Sequence, residues 1–369
     1  MIKKLNLLAL AALLLSGPGC NEELADSKPI DRYNPEIYIQ KAEAMLAENA
    51  EEFEFRGPSV IIPDGSVNVL QAAVDQVGRG GAITLAPGTH TEDETITITN
   101  RVRISGQPGA VLVSGTPNPF GFPSVANPAF HILGANQVVI EGLTIRNVID
   151  VGPTAILIEG GNQTRIRNNT IQAFEFGVAQ YGGDDTRIYD NTITGVVSFI
   201  GCGIVNIKGT NMKIYDNVFS ENFLEIFVGD ANGLIKGNHM SSNSYMGVLL
   251  CKPKIFDVYL VLPSGQVAAA DVSANHWLVL QNFSENHIWN YLVLDGANNN
   301  TLVQNDARNA GLADIELAGD SYRNGFFTPY SFENLVISAG YPDITIKVCG
   351  VDNEAYRGTL IDTDLFPCD

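Results

Sequence analysis

From residue 165 onward the chain repeats one short alternation of apolar and polar positions. An aliphatic residue is followed two positions on by an asparagine-bearing corner and then by a second apolar residue. It reads Ile166-Arg167-Asn168-Asn169-Thr170-Ile171, then Ile188-Tyr189-Asp190-Asn191-Thr192-Ile193, then Ile214-Tyr215-Asp216-Asn217-Val218-Phe219, then Ile235-Lys236-Gly237-Asn238-His239-Met240. The pattern resumes at Asn282 and Asn305. A second apolar piece keeps step with it, beginning at Ala155, Gly177, Gly203, Glu225, Gly247, Tyr291 and Asp314. A period of roughly 22 residues built from strand-length pieces is one supersecondary unit stacked on itself.

Each unit is too short for a helix, and its β-branched runs are punctuated by Gly and Asn, the residues of tight turns. Strands at one phase of successive units would pair in parallel, giving an all-β right-handed parallel β-helix solenoid. The stacked asparagines would bond one another and the turn backbone, as amide ladders do in stacked sheets. Between Asn238 and Asn282, and between Gly247 and Tyr291, the step doubles. Because both phases double together, the reading is a degenerate coil beginning near Ala269, with Val261 at the asparagine position and Val258 pointing inward. The alternative is one coil carrying a long loop over 252–274.

Upstream, apolar residues at Val67, Leu70, Val74 and Val77 predict a helix with one buried face. Ser66 would cap its start, and Gly78, Gly80 and Gly81 would end it. Such a helix is the natural N-terminal capping element of a solenoid. Taken with "ITLAPGTH", "RVRISGQPGA" and the repeated asparagine corner, it resembles the right-handed parallel β-helix proteins of the pectin-lyase-like group. Within that group the repeat-only, NosD-type carbohydrate-binding and sugar-hydrolase domains are most similar, over about residues 57–345. The resemblance implies the fold; the group itself holds lyases, hydrolases, epimerases and proteins without a reaction. The Gly-His-Gly of polygalacturonases and the Asp-Pro-His of alginate epimerases are absent from the sequence.

The first residues carry a basic tip, a short apolar run and Gly19-Cys20, which reads as a signal peptide over 1–19 followed by a lipidated Cys20. That predicts an exported, lipid-anchored protein of the bacterial cell envelope, on its periplasmic or surface face. Residues 20–56 are an acidic linker, with a helix expected from Pro35 to Phe53 that places Tyr38, Ala42, Met45, Leu46 and Phe53 on one side. It would stand as a stalk or pack on the solenoid. Residues 346–369 form a C-terminal cap or tail, in which Cys349 and Cys368 are expected to bridge. Cys202 and Cys251 fall at unmatched positions two coils apart and are not expected to pair. The net charge is −19, and no nucleic acid is expected as a partner.

Counting back from each ladder asparagine, the position three before it is aliphatic and faces inward, so those four and two before it face outward. The first outward row is Arg165, Arg187, Lys213, Leu234, Asp257; the second is Arg167, Tyr189, Tyr215, Lys236, Tyr259. Tyrosine rings pack on sugar faces, while Arg and Lys bind carboxylates and hydroxyls. Asp190 and Asp216, at equal positions of adjacent coils, are the candidate catalytic acids and would be close enough to share a proton or a calcium ion. On the other sheet Leu157, Ala179, Val205, Phe227 and Leu249 form an outward apolar stripe, to be covered by the N-terminal helix or the tail after residue 320. These features favour an envelope-anchored β-helix that engages polysaccharide. The rivals are a lyase or glycoside hydrolase acting on an acidic glycan, and a structural surface protein without ligand.

Overall fold

The computed structural model describes residues 33–360, apart from 118–124, 149–151, 196–200, 242–243, 253–260, 267–272, 295 and short stretches after residue 317. Three parallel sheets of twelve, eleven and nine strands run the length of the molecule, and the chain visits them in rotation. One coil shows the plan: Arg165–Arg167 in the twelve-stranded sheet, Thr170–Gln172 in the nine-stranded sheet, Phe174–Asp184 in the eleven-stranded sheet. The next coil lies directly on it, with Ile166 opposite Ile188, Ile171 opposite Ile193 and Val178 opposite Ile204. Inward residues from all three sheets meet in one continuous core that includes Ile166, Ile188, Ile214 and Ile235. The fold is the all-β right-handed parallel β-helix that the repeat predicts.

The asparagine ladder runs unbroken from Asn169 to Asn305. Nδ2 of each donates to Oδ1 of the next: Asn169 to Asn191 (3.1 Å), Asn191 to Asn217 (3.0 Å), Asn217 to Asn238 (3.0 Å), Asn238 to Asn282 (2.9 Å) and Asn282 to Asn305 (2.9 Å). Each amide also serves the turn; Asn191 Nδ2 donates to the carbonyls of Ile166 and Tyr189, both at 2.9 Å. A second ladder, Asn300–Asn334–Asn353, occupies the preceding corner of the last coils.

The bond from Asn238 to Asn282 overturns the degenerate coil. Ile235 pairs directly with Val279, and Val248 with Tyr291. The doubled step is therefore one coil carrying an insertion between Cys251 and Ala274. The inserted length happens to match about one period, so both phases stayed in step although no coil is there. Val261 makes no rung, and Val258, Asp257 and Tyr259 lie outside the described residues.

Two helices and a short antiparallel pair, Ser321–Arg323 with Phe326–Thr328, complete the described fold. Helix α1, Pro35–Ala47, lies on the outer face of the twelve-stranded sheet. Its Tyr38, Ala42, Met45 and Leu46 pack with Leu234, Leu278, Leu280, Val303, Leu335 and Ile337. It packs on the solenoid and stops at Ala47, so Phe53 is not part of its face. Helix α2, Leu70–Val77, buries Leu70, Ala73, Val74 and Val77 in the core beside the first strands. It begins three residues later than the apolar spacing implied, and Val67 is 57% exposed. Its free N–H groups go to Glu92 rather than Ser66: Val69 and Leu70 donate to Glu92 Oε1 at 2.9 and 2.8 Å. Ser66 instead donates to the Pro63 carbonyl.

The apolar stripe on the eleven-stranded sheet is covered, though not by α1. Leu157, Ala179, Val205, Phe227 and Leu249 cluster with Val125 and with Leu262 of the insertion. Leu262 is 1% exposed. Cys202 and Cys251 sit in this cluster as buried thiols. Cys349 is disulfide-bonded; Cys368 and Cys20 lie outside the described residues.

Candidate functional site

The two outward rows are aligned as the spacing requires. Arg165, Arg187, Lys213 and Leu234 are in register, as are Arg167, Tyr189, Tyr215 and Lys236. What alternation could not show is what lies on top of them. The first row is closed off: Arg165 is 2% exposed, Arg187 5% and Lys213 fully buried. Arg165 donates to the carbonyls of Asn49 and Glu51, and its guanidinium lies 3.9 Å from the Phe53 ring centre. Arg187 donates to the carbonyl of Leu46 at 2.9 Å and to that of Glu48. Lys213 Nζ donates to Asp185 at 2.6 Å. This row holds down the segment that follows α1, and it offers no open surface for a ligand.

The second row is half covered. Arg167 joins Glu52 (2.5 Å), Glu141 (2.6 Å) and the Tyr189 hydroxyl (2.8 Å). The hydrogen bond from Arg167 holds the Glu52 carboxyl below its usual range. Tyr189 and Tyr215 are stacked on each other, 4.6 Å apart and 6° from parallel, so those two ring faces are occupied. Burial, and after it the neighbouring Tyr189, pushes the Tyr215 phenol up to about 12. Lys236 is half-buried at the end of the row. The expected sugar-stacking platform is therefore a packed ladder.

Asp190 and Asp216 are exposed and at the same corner. Both have positive φ, 54° each, and share that left-handed position with Asn168, Gly237, Gln281 and Gln304. Asp tolerates this conformation better than most side chains, which accounts for its presence without a ligand. Burial and then the charge of Asp190 raise the Asp216 pKa. Asp184 accepts from the Thr210 backbone and hydroxyl. Among the described residues there is no cluster of three or more His, Cys, Asp or Glu placed to hold a metal ion.

The nine-stranded sheet is the long face left open among the described residues. Its outward positions, one and three past each ladder asparagine, are Thr170 and Gln172, Thr192 and Thr194, Val218 and Ser220, His239 and Ser241, Phe283 and Glu285, Asp306 and Arg308. All are exposed or half-exposed. Thr194 and Ser220 share a hydrogen bond of 3.1 Å, and His239 stacks on Phe283 at 4.6 Å with Arg308 beyond it. The same period-two count that picked the tyrosines, carried forward past the asparagine instead of backward, would have identified this strip.

Comparison with known proteins agrees with the architecture. The family described as "Right handed beta helix region" matches residues 122–254. No curated protein matches the chain. Among solved structures, the Geobacillus virus E2 ORF18 protein is similar at TM-score 0.52 and 13% identity, over 84% of this chain and 61% of that one. The tailspike protein of E. coli bacteriophage HK620, in complex with a pentasaccharide, gives 0.53 and 13% over 80% and 61%. The A-module of a mannuronan C-5 epimerase from Azotobacter vinelandii gives 0.51 and 11% over 83% and 96%. The chain thus spans about three fifths of the two viral proteins and nearly all of the bacterial module. Coil geometry, ladder and comparisons converge on one architecture: the chain has the fold of the right-handed parallel β-helix proteins.

Proposed function

We propose that this is an envelope-anchored β-helix that binds polysaccharide along its nine-stranded sheet. The observation that carries the reading is the open strip on that sheet, where Gln172, Thr192, Thr194, Ser220 and Ser241 present hydroxyls and an amide in successive coils. A row of neutral donors and acceptors repeating at the strand spacing of roughly 4.8 Å suits the many hydroxyls of a sugar chain. The reading is supported by two proteins of similar fold, a tailspike solved with a pentasaccharide and a mannuronan epimerase module. Anchoring through a lipid on Cys20 would leave the solenoid free to meet glycan at the envelope.

A lyase or glycoside hydrolase acting on an acidic glycan remains the rival, resting on the Asp190 and Asp216 pair and on the Asp216 pKa, raised by burial and then by the charge of Asp190. Binding and turnover separate in one experiment. The protein is screened on a glycan array with and without calcium, and every hit is incubated and examined for cleaved or unsaturated products. Binding without product, weakened about tenfold in a Gln172→Ala, Thr194→Ala, Ser220→Ala triple variant of unchanged melting temperature, is the expected result. Full affinity in the triple variant would remove the strip; products lost in Asp216→Asn would establish the enzyme instead.

A further inference from the structure

At the N-terminal end of the solenoid the first three strands of the twelve-stranded sheet, Ser59–Ile62, Gly81–Leu85 and Val102–Gly106, begin one above another. The residues leading into them are tied in series. Gly57 N–H donates to the Gly80 carbonyl at 2.8 Å, and Gly80 N–H donates to the Arg101 carbonyl at 2.7 Å. This stacking brings together residues far apart in sequence around a hollow of about 530 Å³ lined by Glu54, Arg56, Gly57, Arg79, Gly80 and Arg101. Three guanidiniums and one carboxylate line it, in a chain whose net charge is −19.

Two of the three cations are not used up by the protein. Arg56 pairs with Glu54, both largely exposed. Arg101 lies 5.0 Å from the Phe55 ring centre and donates from Nη2 to the Glu54 carbonyl at 2.7 Å, while its Nε has no acceptor. Arg79 is exposed and makes no ion pair among the described residues. The contrast with Arg165, Arg167 and Arg187, each bound by carbonyls or carboxylates of the 46–52 segment, is direct. A guanidinium presents its donors as a planar fork that matches the two oxygens of a carboxylate. Arg101, held by Phe55 and by the Glu54 carbonyl, has already lost much of the freedom that binding would otherwise cost.

We infer that this arginine-lined hollow is a carboxylate-binding site, and that it gives the protein its preference for uronate-containing over neutral saccharides. The inference deepens the polysaccharide reading and rests on it. The hollow at the end of the solenoid and the hydroxyl strip along its side then have separate tasks: the first reads charge, the second holds sugar hydroxyls. Bulk electrostatics works the other way, because the −19 chain repels polyanions at long range, so selection for an acid has to come from a local cluster of this kind.

The test is calorimetric titration of the full chain with trigalacturonate, with the neutral maltotriose, and with sodium sulfate, repeated for Arg79→Ala and Arg101→Lys. Arg79 is exposed in a turn, so its removal leaves the fold intact; Arg101→Lys keeps the charge but not the fork. The inference expects trigalacturonate to bind at least about tenfold better than maltotriose, and each variant to lose that margin while circular dichroism is unchanged. Equal binding of the two saccharides, or an unaltered margin in both variants, overturns the hollow and leaves the polysaccharide reading standing. Sulfate binding as tightly as trigalacturonate overturns the uronate assignment in favour of a simple oxyanion site. No binding of either saccharide overturns the polysaccharide reading and this inference with it.

Discussion

Arg187 on the twelve-stranded sheet donates from Nη1 to the carbonyl oxygen of Leu46, 141 positions earlier in the chain, at 2.9 Å. The reason lies in α1. The last turn of a helix leaves carbonyls without partners and carries a partial negative charge, and α1 has no basic residue of its own there. The sheet supplies the missing cation. Arg187→Ala is therefore expected to lower stability by about 2–3 kcal/mol, mostly by freeing residues 35–56. Hydrogen exchange reads this directly: faster exchange across α1 with the coils still protected supports it, and an unchanged α1 would sink it.

Asn191→Leu cuts the ladder in its middle. It removes donors to Ile166, Tyr189 and Asn217, and it strands the Asn169 N–H and amide that point at Asn191 Oδ1. Buried groups left without partners cost more than the bonds they made, so a loss of about 1–3 kcal/mol or more is expected. Thermal unfolding checks it, and an unshifted midpoint would mean the ladder adds nothing.

His287 gives the fold a dependence on acid. It is 2% exposed, with Nδ1 2.6 Å from the Ser244 hydroxyl, and burial pushes its pKa down to about 4 from an ordinary 6.5. The unfolded chain therefore takes up a proton near pH 6.5 that the folded chain refuses until about pH 4. Stability from this group is complete above 6.5, falls as the pH drops through that window, and levels off below it, a change of roughly 3 kcal/mol. Chemical denaturation at intervals from pH 7 to pH 4 should show a shallower slope for His287→Gln than for the parent. Parallel slopes would count against it.

Cys20→Ser is expected to move the protein from the membrane fraction to the soluble one, because it removes the thiol that the basic tip, apolar run and Gly19-Cys20 mark for lipidation. Identical fractionation of the two forms, both soluble, would end the lipoprotein reading.

The coils were legible because Ile166, Ile188, Ile214 and Ile235 each had to face inward and each asparagine had to find another above it; a strict period leaves few other solutions. The insertion was not, because nothing ties the length of a surface loop to that period, and one of about one period imitates an extra coil. The direction of Arg165, Arg187 and Lys213 was also legible from alternation, but their fate was not. Whether an outward side chain meets solvent depends on a segment more than a hundred residues away, and alternation carries no information about that. The same limit hid the burial of Phe227 in a cluster that Leu262 joins, and it drew attention to Tyr189 and Tyr215 ahead of the uncovered Thr194 and Ser220.

Asn238 bonds to Asn282 as though the insertion between Cys251 and Ala274 did not exist, while Leu262 from that insertion is buried in the apolar cluster that holds the stripe. Among the described residues, Leu262 is thus an anchor that ties the insertion to the coil beneath. The exposed turn that follows Leu262, residues 263–266, can be lengthened or exchanged for a foreign sequence without disturbing the coil beneath, provided that an apolar residue still lands where Leu262 does. For anyone wishing to display a peptide or a second module on this scaffold, the exposed turn at residues 263–266 is the place to cut.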